Sequence, residues 1–378
     1  MGIQFWNRIT IIVITITLSL TAGAHPLDEV EAHPPIRVHQ QGTSGPTGYN
    51  PSQIRHAYGF DQLPQKGSGQ TIAIIDAYGN PYIQSDTDTF SKQFGLPTTQ
   101  VKVLYPQGKP KRIDSGWALE TSLDVEWAHA IAPGATILLV VSKSASLGDL
   151  LGAVTVAVNQ GANQISMSWG GSEFSTESSY DSYFNHTGVS FFASSGDNGT
   201  GVIWPAVSPF VVGVGGTTLN LDVAGNVLSE TAWSGSGGGI SPYVAEPGYQ
   251  TQWQSTGRRG VPDVSYDADP QTGFPVYDSY SCRRNCWSQV GGTSAGAPQW
   301  AAAVALANSA RASSLDSVNS ILYYFGSPSN QTTYFRDIIF GCNGSGATSI
   351  DCAQSGYDFV TGVGSPLGNT LIPALMIY

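Results

Sequence analysis

A serine set in Gly-Gly-Thr-Ser-Ala-Gly, residues 291–296, has surroundings that suit nucleophilic chemistry. Ser294 follows a glycine pair and opens an Ala-rich stretch, with Pro298 early in it, where a helix tolerates proline. A hydroxyl at a helix N-terminus has the positive end of the dipole and free backbone N–H groups beside it. Small neighbours let a substrate backbone approach. A plain N-cap serine is the competing reading of the same residues. A nucleophile also needs a base, and histidine is the first place to look. The six histidines are His25, His33, His39, His56, His129 and His186, all upstream, so the order Ser, acid, His is excluded. The order Asp, His, Ser is available through Asp76, His129 and Ser294. His129, however, lies inside a helical stretch with no glycine turn to present it, and reads as a packed helix histidine.

Carboxylates are the better base. Glu120 and Asp124 are four residues apart and share one face of a predicted helix. Leu119, Leu123, Trp127 and Ile131 form an apolar stripe beside them, and the helix offers no Lys or Arg to neutralise them. Such a pair can share a proton, which splits its apparent pKa values and keeps one carboxylate basic in acid. Two solvated surface acids remain the other possibility. Asp197, in Ser-Gly-Asp-Asn-Gly, reads by itself as a turn residue. Asp337 and Asp358 flank a polar Gly/Asn/Ser loop. With nearby backbone carbonyls they make a hard-oxygen set suited to Ca²⁺, or a simple polar loop.

The elements that must position these groups are legible as period and length. Residues 71–76, 101–105, 135–141, 164–169, 189–195 and 210–216 are short apolar runs, and 118–132, 147–160 and 297–312 carry helical patterns. Apolar strands alternating with helices predict an α/β fold, a doubly wound, mostly parallel sheet with helices on both faces and functional residues at the strands' carboxyl ends. Beyond residue 217 Gly, Ser and Pro dominate and the pattern weakens. Residues 1–24 read as a signal peptide: Arg8, an apolar run from Ile9 to Leu20, and Ala22-Gly23-Ala24. Residues 25–49 read as a short leader or linker, and 50–378 as the main domain. Cys282, Cys286, Cys342 and Cys352 are close in sequence as two pairs, so two local disulfides are expected in an oxidising compartment. Charged residues are only 11% of the chain and the net charge is −11, which excludes a basic nucleic-acid face. An exported monomer without a membrane anchor in its mature form is expected.

Several spaced segments together resemble the sedolisins, the serine-carboxyl peptidases. They are residues 120–135, Ile-Ser-Met-Ser-Trp-Gly-Gly at 165–171, 193–199, 291–298, Phe-Arg-Asp-Ile at 335–338 and 356–366. The resemblance implies a subtilisin-like fold and a secreted, acid-active endopeptidase acting on proteins or peptides. A tripeptidyl exopeptidase on the same fold is one alternative, and an inactive calcium-stabilised binding protein another. By position Ser294 resembles the nucleophile, Glu120 the base, Asp124 its orienting partner and Asp197 the oxyanion acid, which functions only when protonated. Asp76 resembles a supporting acid hydrogen-bonded to the base. Asp337 and Asp358, with the carbonyls of Ile338, Gln354 and Gly356, match the family's single structural Ca²⁺ site, Gln354 standing where glycine is usual. The family's long pro-domain has no counterpart between Ala24 and Tyr49, so either folding needs no covalent chaperone here or a partner supplies it, and activation by autoprocessing is not expected.

Overall fold

The computed structural model describes Leu27 and residues 30–316, 318–344 and 348–378. The expected signal peptide lies outside the described residues. An eight-stranded sheet organises the chain. Its strands are β2 (Thr71–Ala77), β3 (Lys102–Leu104), β4 (Thr136–Ser142), β5 (Gln164–Met167), β6 (Ser190–Ser194), β7 (Val211–Leu221), β8 (Val227–Ala232) and β9 (Val264–Asp267). The order β8-β7-β6-β5-β2-β4-β3, with β9 also on β7, is parallel throughout except at β8. This is the doubly wound, mostly parallel α/β sheet that the sequence predicts.

Alternation within the strands explains the two layers. Along β2, Ile72 and Ile74 face one core, and Ala73, Ile75 and Ala77 the other. The first core is covered by α1 (Ile83–Phe94), α2 (Ser115–Ile131) and α4 (Gly296–Asn308), the second by α3 (Leu147–Asn159). Helix α2 is capped by Asp114, whose carboxylate accepts from the N–H groups of Gly116 and Trp117. Every side chain of α2 from Trp117 to Ile131 is buried, so its polar residues are interior groups and not a solvated face. The predicted helix 297–312 ends four residues early, at Asn308.

The largest departure from the sequence reading concerns residues 25–49. Strand β1 (Arg37–Thr43) pairs antiparallel with β11 (Trp287–Gly291), which also pairs with β10 (Phe274–Tyr277). A strand held by its backbone needs no apolar period, and β1 has none: its residues from Arg37 to Gly42 are all exposed. This part of the presumed linker is therefore built into the fold. The cysteines pair locally, Cys282 with Cys286 and Cys342 with Cys352. Among the described residues no helix is long and apolar enough to cross a membrane.

Candidate active site

Ser294 stands in a single 3₁₀ turn, Thr293–Ala295, between β11 and α4. Gly292 before it adopts φ +111, and a Cβ there would collide with the Pro35 carbonyl oxygen and Asp197 Oδ2. Both oxygens thus crowd the bare face of one residue, which only glycine can present. The loop after β6 brings Asp197 to the same place. Its Oδ1 accepts from the Thr293 N–H at 2.8 Å and the Thr293 hydroxyl at 3.0 Å, while buried Oδ2 has no hydrogen-bond partner.

Helix α2 supplies the carboxylates from the other side. Glu120 and Asp124 are fully buried, and Asp76 reaches them from the end of β2. Both Glu120 oxygens, both Asp76 oxygens, Asp124 Oδ2 and Ser294 Oγ are buried without a hydrogen-bond partner. The sequence reading expects a hydrogen bond from Asp76 to Glu120; none is present, and their coupling is electrostatic. Carboxyl groups facing one another at close range are satisfied only by protons between them. The electrostatics agree. Burial pushes Asp76 up to about 7. It raises Glu120 well above its usual range, with the Asp76 charge adding to this and the Ser294 hydroxyl opposing it. Asp124 is raised by burial first, then by Asp76 and Glu120. Burial also pushes Asp197 up to about 7, against the pull of Thr293 and, more weakly, Arg37.

Ser168 is a site residue that the sequence reading does not single out. Its hydroxyl lies 2.9 Å from Asp124 Oδ1 and 3.2 Å from the Ser294 carbonyl oxygen, tying the acid to the serine's own backbone. It sits inside the Ile-Ser-Met-Ser-Trp segment, where only its place after a strand could mark it. His129 is elsewhere. Its Nε2 bonds the Pro97 carbonyl at 2.8 Å, and at 1.5 Å per residue it lies about 13 Å along α2 from Glu120. Burial lowers its pKa, against the opposing pull of the Pro97 carbonyl.

The chain itself runs through this site. The Leu147 N–H donates to Val30 O, Ala32 N–H to Ala145 O, and His33 and Gly170 exchange both backbone bonds. Residues 30–33 thus lie between the segments that follow β4 and β5, at the sheet's carboxyl end. The Ser294 N–H then donates to the Pro35 carbonyl at 3.4 Å, and the Ile36 N–H closes a tight turn onto Pro34 O. Arg37 leads out, its guanidinium donating to Asp197 O at 2.8 Å and Asn198 Oδ1 at 2.9 Å. Between this segment and the loop 196–203 lies a cavity of about 870 Å³.

Around the expected cation site, Asp337 accepts from the Gly356 N–H and the Ser355 hydroxyl, and Asp358 from the N–H groups of Gln354, Val360 and Thr361. Both carboxylates therefore grip the segment 354–356. Gln354 is not at positive φ, so its backbone does not demand the glycine usual there. Asp358 is 1% exposed, burial pushes it up to about 7, and among the described residues neither aspartate has an ion-pair partner. No group of three or more His, Cys, Asp or Glu gathers as metal ligands among the described residues.

The Subtilase family profile matches residues 115–323. Kumamolisin of Bacillus sp. (strain MN-32) is 32% identical over 371 residues, covering 88% of this chain and 65% of that protein. Tripeptidyl-peptidase 1 of Dictyostelium discoideum is 30% identical over 340 residues, covering 81% and 54%. The chain thus spans less than two thirds of the length of these curated relatives. The solved structure of Pseudomonas sedolisin, a serine-carboxyl proteinase complexed with two molecules of pseudo-iodotyrostatin, superposes with a TM-score of 0.77 at 29% identity, over 87% of this chain and 98% of that one.

Proposed function

This chain belongs to the subtilase family and, with kumamolisin and sedolisin, to its sedolisin members, and from that premise we propose that it is an exported, acid-active serine-carboxyl endopeptidase. Ser294 Oγ attacks the carbonyl carbon of the scissile bond as Glu120 takes its proton. Asp124, held by Ser168, orients Glu120 and shares its charge, with Asp76 supporting both. The oxyanion meets the Ser294 N–H and a proton on Asp197 Oδ2, the unpartnered oxygen beside the Pro35 carbonyl. The C–N bond breaks as Glu120 returns the proton to the leaving amine. Water then repeats the sequence on the acyl-enzyme.

The path of Val30–Arg37 is the observation that supports endopeptidase over tripeptidyl action. A tripeptidyl enzyme must close its groove behind the third residue before the bond. Here the backbone is still gripped at Val30, five residues before Pro35. An N-acetylated peptide should therefore be hydrolysed internally within about tenfold of the rate of its free-amine twin. A strict requirement for a free amine three residues before the bond would favour the tripeptidyl alternative. The same path puts Pro35–Ile36 at the nucleophile's turn, where the Ser294 N–H holds the Pro35 carbonyl. Incubation in acid should release a new N-terminus at Ile36 in the parent protein and none in Ser294→Ala, read by terminal sequencing.

One structural Ca²⁺ belongs to the same proposal. A buried carboxylate without a counter-cation, a second carboxylate and the carbonyls of Ile338, Gln354 and Gly356 form a fitting hard-oxygen set. Once bound, the ion neutralises Asp358 and ties the 354–358 segment to Asp337. It takes no part in hydrolysis. At a hundredfold excess over Kd it adds about 2.7 kcal/mol to stability. Chelation near pH 6 should lower the melting temperature, and Asp358→Ala should melt low with or without chelator. Identical parent curves with no calcium retained after dialysis would reject the site.

A further inference from the structure

Strand β1 begins where the path through the active site ends. Arg37 pairs with Gly291, Val38 with Val290, Gln40 with Gln289, Gln41 with Ser288 and Thr43 with Trp287. Gly291 is only three residues before Ser294, so one edge of β11 starts at the nucleophile and leads away from it. We propose that this edge of β11 is the binding site for the residues that follow a substrate's scissile bond, which add to it as an extended antiparallel strand, and that β1 holds it in cis as an intramolecular competitor.

The inference rests on the peptidase reading above and extends it to the far side of the bond. Three features carry it. The chain is continuous: residues 30–35 lie along Ala145 and Gly170, Pro35 faces the Ser294 N–H, and the next residues enter the β11 ladder. The hold is made by the backbone, because side chains from Arg37 to Gly42 are exposed. Any extended peptide without proline at the ladder positions can form the same bonds, so the edge selects conformation and not sequence. Arg37 is the exception. Its guanidinium grips Asp197 O and Asn198 Oδ1 and stands 3.8 Å from Asp197 Oδ2. A substrate must displace this anchor together with the strand, which gives β1 an advantage over a passing peptide. Cutting Pro35–Ile36 would not by itself free the edge, since β1 stays attached to the domain through residues 44–50.

Hydrogen exchange tests the edge directly. In the full chain carrying Val38→Pro and Gln40→Pro, the prolines replace the residues paired with Val290 and Gln289, two successive ladder positions, so one of them falls on a hydrogen-bonded pair. The β11 amides that face β1 should exchange at least tenfold faster than in the parent, while protection in β2, β4 and β5 persists. Adding a synthetic peptide with the sequence of Ile36–Thr43 should restore their protection. Unchanged exchange in the variant, or no protection by the peptide, overturns the proposal. Arg37→Ala, which keeps the strand, gives a second reading. Its kcat/KM for peptides with six residues after the bond, divided by that for peptides with one, should rise at least threefold over the same quotient in the parent; an unchanged quotient overturns the proposal. Loss of hydrolysis in every protein while exchange still answers to the peptide refutes the peptidase reading and leaves the edge standing. Hydrolysis without length dependence, beside silent exchange, does the reverse.

Discussion

Ser294→Ala should lower acid hydrolysis of a peptide substrate by about 10⁴-fold or more while the protein stays folded. Ser294 Oγ has no hydrogen-bond partner in the structure, so its removal orphans nothing and leaves a void of one oxygen. Glu120→Gln should cost about 10²–10⁴-fold, since the amide keeps the shape and cannot take the serine's proton. Its effect should not add to that of Ser294→Ala, because the two act as a unit. His129→Ala separates this assignment from a histidine-based one. That ring is buried and bonded to Pro97 O, away from Ser294, so its loss should lower stability and leave kcat within about threefold. The measurement is kcat on a blocked peptide, with circular dichroism to verify folding. A folded His129→Ala protein without activity, beside an active Glu120→Gln, would overturn the serine-carboxyl reading.

The sequence discloses the interior of this molecule better than its groove. Continuous apolar runs at 71–76 and 135–141 mark strands that the structure places inside the sheet, because residues buried on both faces leave a pattern in composition. Glu120 and Asp124 are visible for a related reason. Acids at a four-residue spacing beside Leu119, Leu123 and Trp127 are expected to be at least partly covered, and the structure buries them completely. What the sequence hides is held by backbone. Strand β1 has exposed side chains throughout its ladder up to Gly42, so nothing in Arg-Val-His-Gln-Gln marks pairing with β11. The path of residues 30–36 past Ser294 is hidden likewise, since its bonds run between peptide groups. Ser168 escapes for a third reason: a serine that links one acid to a distant carbonyl has no spacing of its own, and 126 residues separate it from Ser294.

Neutral pH should weaken both activity and stability, through the same buried carboxyls. Asp197 can donate to an oxyanion only while protonated, and it is pushed up to about 7. Turnover should therefore fall as pH rises through that value. Asn at this position donates at any pH, so Asp197→Asn should retain acid activity within about tenfold and lose the fall near 7. Stability should fall in the same direction. Unfolded, Asp197 and Asp76 titrate near ~4; folded, each holds its proton up to about 7. Between those values the native state binds protons that the unfolded chain has released, so stability is full below ~4 and is lost as pH rises through about 7. A single carboxyl moved this far is worth about 4 kcal/mol between the two limits, and Glu120 and Asp124 act in the same sense without adding independently. The melting temperature should accordingly drop by roughly 5–10 °C from pH 4.5 to 7.5. Asp197→Asn should shrink that drop by removing one titrating proton. A melting temperature that is level or rising over this range would mean that these acids are ionised in the native state. A charged Asp197 beside the scissile carbonyl could not then serve as the oxyanion donor.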